Sequence, residues 1–357
     1  MTKLPLLRSL LERHNAEALL LRRVSSFAWA TGGAASYVNT ATTEGAASLV
    51  ITRDKAYLVT NNIEAPRLRD EENLAEQGWE FVLSPWETPL KGLNDLLAGK
   101  TFLSDVPFGS GKDVSAEIAR LRAHLSPEEG GRFRELGRLC AEAISEAAQA
   151  IQPGMSEYEI AALLGAAAQK RGVQPIVNLV ATDERRYRHP LPTSKELQRY
   201  ALLVLSGRWR GLVCSVSRMV HFGKIPAELE RKIRAAARVN AAFIVHSRPG
   251  KTLGELLEVG QAAYAEAGFP GEWQHHHQGG VTGYEPREYL ATPGGADVLA
   301  AGQALAWNPT VQGAKMEDTI LLGETENEIL TPTPLWPLER VEIPGLPPVP
   351  CALALQR

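Results

Sequence analysis

The residues best suited to chemistry gather between Trp273 and Ile320. Three polar clusters interrupt apolar runs there: Trp-Gln-His-His-His-Gln-Gly-Gly at 273–280, Thr-Gly-Tyr-Glu-Pro-Arg-Glu-Tyr at 282–289 and Lys-Met-Glu-Asp-Thr at 315–319. A fourth, Arg-Arg-Tyr-Arg-His-Pro at 185–190, lies upstream. Histidine titrates near neutrality and arginine forks suit carboxylates. His189 therefore reads as a general base, with Arg186 and Arg188 as a clamp for a substrate carboxylate; the plainer alternative is a solvated basic loop. In the run His275-His276-His277, alternate strand residues point to opposite faces, so at most His275 and His277 share one. That argues against a three-ligand metal cluster and leaves His277 lining a site. Arg287 and Glu288 read either as a structural ion pair or as a pocket wall beside Tyr284. Glu317 and Asp318 stand among apolar residues, where a carboxylate needs a partner. For Glu317 the candidate cations are an arginine of the 185–188 cluster or Arg287. Trp209, Trp273, Trp307 and His221 read as structural.

The elements that must position these groups form a repeated series. Residues 5–22 read as an amphipathic helix, with Leu6, Leu7, Leu10 and Leu11 at helical spacing, running into the strand Ala18-Leu19-Leu20-Leu21. Strand and helix signals continue to about residue 105, giving a compact α/β unit. A boundary falls near Ser126, where Ser-Pro-Glu-Glu carries an N-cap, proline at the first helical position and an acid at the third. Then Pro153-Gly154 opens a helix with the capping box Ser156…Glu159, and Pro249-Gly250 opens another with Thr252…Glu255. Each helix ends at a glycine 19 residues after its proline, Gly172 and Gly268, and the two series lie 96 residues apart. A capped helix, glycine and strand following an alanine-rich helix twice over argues for internal duplication. Two α+β halves would then face each other across a site.

Composition sets broad limits. The 357 residues carry a net charge of −3 with signs mixed along the chain, and suit two domains. No basic stripe suggests nucleic-acid binding, and no run of about 18 apolar residues suggests a membrane span. The N-terminus lacks the apolar core of a secretory signal. Cys140, Cys214 and Cys351 are odd in number and far apart, as thiols rather than a disulfide frame or zinc knot. A cytoplasmic protein is expected.

The duplicated series behind a smaller α/β domain resembles the pita-bread metallopeptidase superfamily of aminopeptidase P, prolidase, methionine aminopeptidase and creatinase. Leu7–Gly33 resembles the start of the creatinase-type N-terminal domain, and Glu317-Asp318-Thr319 with Leu330-Thr331 resembles the end of the pita-bread domain. The resemblance implies an α+β chain with a creatinase-like domain over 1–125 and a pita-bread domain over 126–357, the latter carrying a Pro-rich tail, Ile343 to Pro350. It also implies a homodimer. Active members hold two metals with Asp, Asp, His, Glu and Glu in order. Here those positions match Ser206 (or its neighbour, the turn that follows being short), Ser215, His277, Asn308 and Glu317. Two of five ligands remain, so the expectation is no metal cofactor, or at most one weakly bound manganese or zinc. His189 matches a substrate histidine of the family, and Tyr284 stands where a second one falls. Creatinase has this fold without metal and uses a histidine base at the position of His189. The resemblance thus leaves three readings. One is a metal-independent hydrolase of a small carboxylate-bearing amide or amidine, using His189, His277, Tyr284 and Glu317, with Arg186, Arg188, Arg287, Asn308 and Ser215 binding substrate. Another is a catalytically silent protein that binds a small molecule, peptide or protein. The third is an Xaa-Pro peptidase with a reduced metal site.

Overall fold

A computed structural model describes residues 3–333 and 336–357. They form two compact units, one running to Arg122 and including residues 210–212, the other holding 123–209 and residues from Val213 onward. Among the described residues no helix is long and apolar enough to cross a membrane.

In the first unit, α1 (Leu4–His14) buries Leu4, Leu7, Leu10 and Leu11 on one stripe and ends at Asn15, which takes a left-handed φ of 48°. There follow β1 (Ala18–Arg23), α2 (Val24–Ala30), β2 (Glu44–Thr52), β3 (Ala56–Asn61), α3 (Ala65–Asp70), β4 (Glu80–Ser84), α4 (Lys91–Leu97), β5 (Phe102–Ser104), β6 (Lys112–Asp113) and α5 (Ser115–Arg122). The six strands make one sheet in the order β4-β3-β2-β1-β5-β6. Ala18 to Leu21 are buried on both faces because β1 is central, antiparallel to β2 and parallel to β5.

The second unit begins with α6 (Pro127–Ala150), α7 (Glu157–Gln169), β7 (Gln174–Thr182), β8 (Tyr200–Trp209) and β9 (Leu212–His221). Its second half runs α8 (Ala227–His246), α9 (Leu253–Glu266), a 3-10 turn (Glu272–His275), β10 (Gly279–Thr282), β11 (Tyr289–Leu290), β12 (Ala304–Trp307), β13 (Thr310–Val311), β14 (Ala314–Lys315), β15 (Asp318–Leu321) and β16 (Glu328–Ile329). The duplication is literal in the backbone. Ser156 and Thr252 both complete capping boxes, and each pairs across to an extended segment, Glu196 and Val298 respectively. Gly154 and Gly250 turn with φ of 92° and 87°, donating to Leu197 and Leu299 carbonyls at 2.8 and 2.9 Å. The halves contribute the sheets β19-β9-β8-β7 and β11-β10-β12-β15-β16, β19 being Leu355–Gln356. The fold is the pita-bread fold.

Its core is built on α8, where Phe243 stacks on Trp307 with ring centres 4.4 Å apart and the Trp307 indole donates to Ser247 Oγ at 3.0 Å. The Pro-rich tail forms a hairpin, β17 (Leu338–Ile343) with β18 (Leu346–Ala352), against α8. All three cysteines are free and buried. Arg218 on β9 ties the sheets together: it donates to Asp318 Oδ1 at 2.9 Å, the Thr331 carbonyl at 2.7 Å and the Glu317 carbonyl at 3.2 Å.

Candidate active site

Strands β8 and β9 are joined by Arg210 and Gly211, both left-handed at φ 46° and 78°, a two-residue turn whose twist suits a hairpin. The turn sets the register, so Ser206 faces Ser215 with the two hydroxyl oxygens 2.9 Å apart. Both look into a cavity of about 150 Å³ whose apolar wall includes Val177, Leu179, Val204 and Pro286. Its polar wall adds His189, His277, Arg287, Asn308, Lys315 and Glu317.

Glu317 is the centre of this wall. It is 4% exposed, and its carboxylate accepts from Ser217 Oγ at 2.6 Å and Arg287 Nη2 at 3.1 Å, with Lys315 Nζ at 2.8 Å. Burial alone would push such a carboxyl up. Lys315 and then Arg287, with the Lys315 and Ser217 hydrogen bonds, outweigh it and hold Glu317 down at about 2. Desolvation in turn pulls Arg287 below the ordinary arginine range. Lys315 and Glu317 reach one point because they stand two residues apart on extended chain. Arg287 also approaches Asn308 Oδ1 at 3.4 Å and Ser215 Oγ at 3.5 Å, while its buried Nε has no partner among the described residues.

The histidines adjoin this group. His276 Nδ1 lies 3.1 Å from Thr310 Oγ1, and the Thr310 hydroxyl points its proton at the Asn308 carbonyl, 3.2 Å away. Thr310 therefore accepts from His276, which carries its proton on Nδ1. The free His276 Nε2 has one in-plane lone pair, facing His189 Nε2 at 3.2 Å and Asn308 Nδ2 at 3.3 Å. Accepting from His189, the nearer of the two, leaves Nδ1 as the basic nitrogen of His189. All three rings are held neutral. Burial, then Lys315, depresses His276 to about 2; burial, then Arg287, depresses His277 to about 4; burial, then Lys315, lowers His189. His277 Nδ1 is buried without a partner among the described residues.

Several expected residues lie elsewhere. Tyr284 is not in the cavity wall. Its hydroxyl donates to Glu129 Oε1 at 2.7 Å and accepts from Arg132 at 3.2 Å, at the start of α6, and burial, then Glu129, raises its pKa. Arg188 pairs with Glu272, and Arg186 donates to the Asp183 carbonyl, so the 185–188 cluster supplies no clamp to this cavity. Arg287 and Lys315 are its cations. The alternation expected for His275 to His277 fails because Glu272–His275 is a 3-10 turn and β10 starts only at Gly279. His276, not His275, joins His277 and His189. Lys315 could have been found from its two-residue spacing to Glu317; His276 left no comparable signal.

A dinuclear metal centre does not fit these residues. Of the five matching positions, Ser206, Ser215 and Asn308 are neutral, and the one carboxylate already carries two cations and a hydroxyl. Two divalent ions need bridging carboxylates to offset their charge. Ring nitrogens of His189, His276 and His277 do lie within 4.8 Å of one another. Beside them, however, Lys315, Arg287 and Glu317 sum to one positive charge, which opposes a further cation.

The fold is that of a pita-bread protein. The profile of metallopeptidase family M24 matches residues 131–324, and the chain belongs to that family. It is 27% identical over 252 residues to the agropine synthesis cyclase of Rhizobium rhizogenes, a match covering 62% of each chain, so under two thirds of that relative. It is 23% identical to a Xaa-Pro dipeptidase of Pyrococcus horikoshii, over 83% of this chain and 90% of the other. Its fold superposes on the prolidase of Pyrococcus horikoshii OT3 with a TM-score of 0.81, at 18% identity, over 93% of this chain and 99% of that one. On the X-Pro aminopeptidase of Thermotoga maritima the TM-score is 0.74, at 20% identity, over 92% and 97%.

Two measurements check this geometry. The Glu317 carboxyl is depressed from 4.5 to about 2, so its stabilisation is full above pH 4.5 and is lost as pH falls toward 2. Urea unfolding across that window should lose on the order of 3 kcal/mol through this group, and Glu317→Gln should flatten that part of the profile while costing about 3–5 kcal/mol at pH 7. An unchanged profile in the variant contradicts the ion-pair assignment. Nitrogen-15 NMR at pH 7 should find unprotonated Nδ1 on His189 and unprotonated Nε2 on His276, with Thr310→Val scrambling the latter; the opposite tautomers contradict the hydrogen-bond chain.

Proposed function

We propose that this M24 family member is a metal-independent hydrolase of a small amide or amidine bearing a carboxylate. The observation that carries the reading is the buried Glu317 held by Lys315 and Arg287, in the place where the resemblance puts a metal ligand. Side-chain cations there leave no need for metal counter-charge, and their surplus positive charge favours an anionic ligand. The orphaned Arg287 Nε and His277 Nδ1 each want a partner that the protein does not supply, which supports a ligand between them. In this reading Arg287 and Lys315 receive the carboxylate, with Ser215 and Asn308 beside it. His277 orients the scissile amide, and His189 takes a proton from water through Nδ1 and returns it to the leaving nitrogen. The water oxygen bonds to the amide carbon as the carbon–nitrogen bond breaks.

A second reading draws on the relative named as a cyclase. If an internal hydroxyl or amine of the ligand replaces water, it gives its proton to His189 and bonds to the amide carbon as the same carbon–nitrogen bond breaks, the departing nitrogen taking that proton, so that a ring closes instead of hydrolysis. Both readings predict turnover that survives a chelator. N-acyl and N-carbamimidoyl amino acids, assayed in EDTA with mass detection of open and cyclic products, test them together. Expected are EDTA-resistant turnover, a loss of about 10²–10⁴-fold in His189→Ala, and a rate that rises with pH through a midpoint below 6.5, where the lowered His189 loses its proton. Xaa-Pro cleavage that requires added manganese would overturn the proposal. Tight ligand binding without turnover would instead make the chain a silent binding protein.

A further inference from the structure

The largest cavity near the 185–188 cluster is not the one just described. It measures about 560 Å³ and is lined in part by Arg186, Tyr187, Arg199, Tyr200, Pro226 and Leu229. The acids around it are committed. Asp183 accepts the backbone amides of Gln198, Arg199 and Tyr200 at 2.8 to 3.0 Å, and Glu184 pairs with Lys195 at 2.9 Å. Glu228, in the first turn of α8, pairs with Arg231 at 3.0 Å. The basic groups are not. Arg186 uses only Nε, on the Asp183 carbonyl, and among the described residues the Arg186 and Arg199 guanidinium groups have no acidic partner. Helix α8, twenty residues long, opens at this cavity: Pro226 is its N-cap and Leu229 lies in its first turn, and no side chain caps it. The other first-turn acid, Glu230, is paired with Arg234 at 3.2 Å, so the uncapped first amides can still receive an anion.

A separate observation points to a missing acceptor. Tyr200 is 3% exposed, and its hydroxyl has no hydrogen-bond partner among the described residues. A buried donor left unpaired is costly, and native proteins keep few. Tyr200, Arg186 and Tyr187 line both this cavity and a small enclosed space behind it, and the Arg186 charge acts on the Tyr200 phenol. An oxyanion drawn between Arg186 and Tyr200 would give that hydroxyl its acceptor.

We propose that Arg186, Arg199, Tyr200 and the N-terminus of α8 form a second binding site, for the phosphate or carboxylate group of a small metabolite. The larger cavity shares no wall residue with the Glu317 cavity, Lys315 lining only the small space behind it, and the proposal does not depend on the catalytic reading. Arginine forks give such a group paired, charge-assisted hydrogen bonds, and the helix end adds backbone donors.

The test is calorimetric titration and thermal unfolding of the whole chain with inorganic phosphate and, separately, succinate, at fixed ionic strength. Expected is saturable binding of at least one of them, and which one binds identifies the group. Binding should weaken at least tenfold in Arg199→Gln and about fivefold in Tyr200→Phe. Without anion, Tyr200→Phe should unfold no earlier than the native chain, because its hydroxyl has no internal partner to lose. No saturable binding of either anion overturns the proposal. So does binding unchanged in both variants, or binding removed by Lys315→Met while Arg199→Gln leaves it intact, which would assign the anion to the inner cavity.

Discussion

A carboxylate buried to 4% exposure cannot stay ionised without counter-charge close by. Glu317 obtains it from Lys315 and Arg287, and the rest of the site is arranged around that requirement. Ser217 on β9 supplies the third donor, so the ion pair also joins β9 to the chain entering β15. Arg287 reaches Glu317 from the segment between β10 and β11 and touches Ser215 and Asn308 on the way. The neutral serines answer one another across the β8–β9 hairpin, where two facing carboxylates would repel each other unless a cation lay between them.

Burial governs the histidines first and the same cations second. Together they keep the three imidazoles neutral, and neutrality is what leaves His276 Nε2 a lone pair facing His189. Thr310 closes the chain by fixing which nitrogen of His276 holds the proton. Neutral imidazoles, a cation pair with an unfilled donor and an apolar wall thus line one cavity.

Much of the fold was legible in the sequence because its signals are local. The two capping boxes, the Pro-Gly turns and the terminal glycines act within a few residues, and each recurs in the backbone with the same hydrogen bonds. Glu317, His189, His277, Asn308 and Ser215 reach one cavity because strand order carries them there. The errors arose where partners come from far along the chain. Tyr284 is captured by Glu129, 155 residues away, and Arg188 by Glu272, 84 residues away; neither pairing leaves a trace in spacing. The histidine run misled for a local reason, since a 3-10 turn just before β10 breaks the alternation a strand would impose. Lys315 stood two residues from Glu317 in plain view, but only burial of both side chains reveals that they form a pair.

The most direct measurement is metal content per chain by elemental analysis, on protein equilibrated with manganese or zinc and then desalted. If Lys315 and Arg287 occupy the electrostatic place of the metals, the stoichiometry is near zero, and it stays near zero as the metal concentration in the equilibration is raised. One or two tightly held ions per chain would contradict the account, because no arrangement of two buried side-chain cations around Glu317 leaves that carboxylate free to bind them.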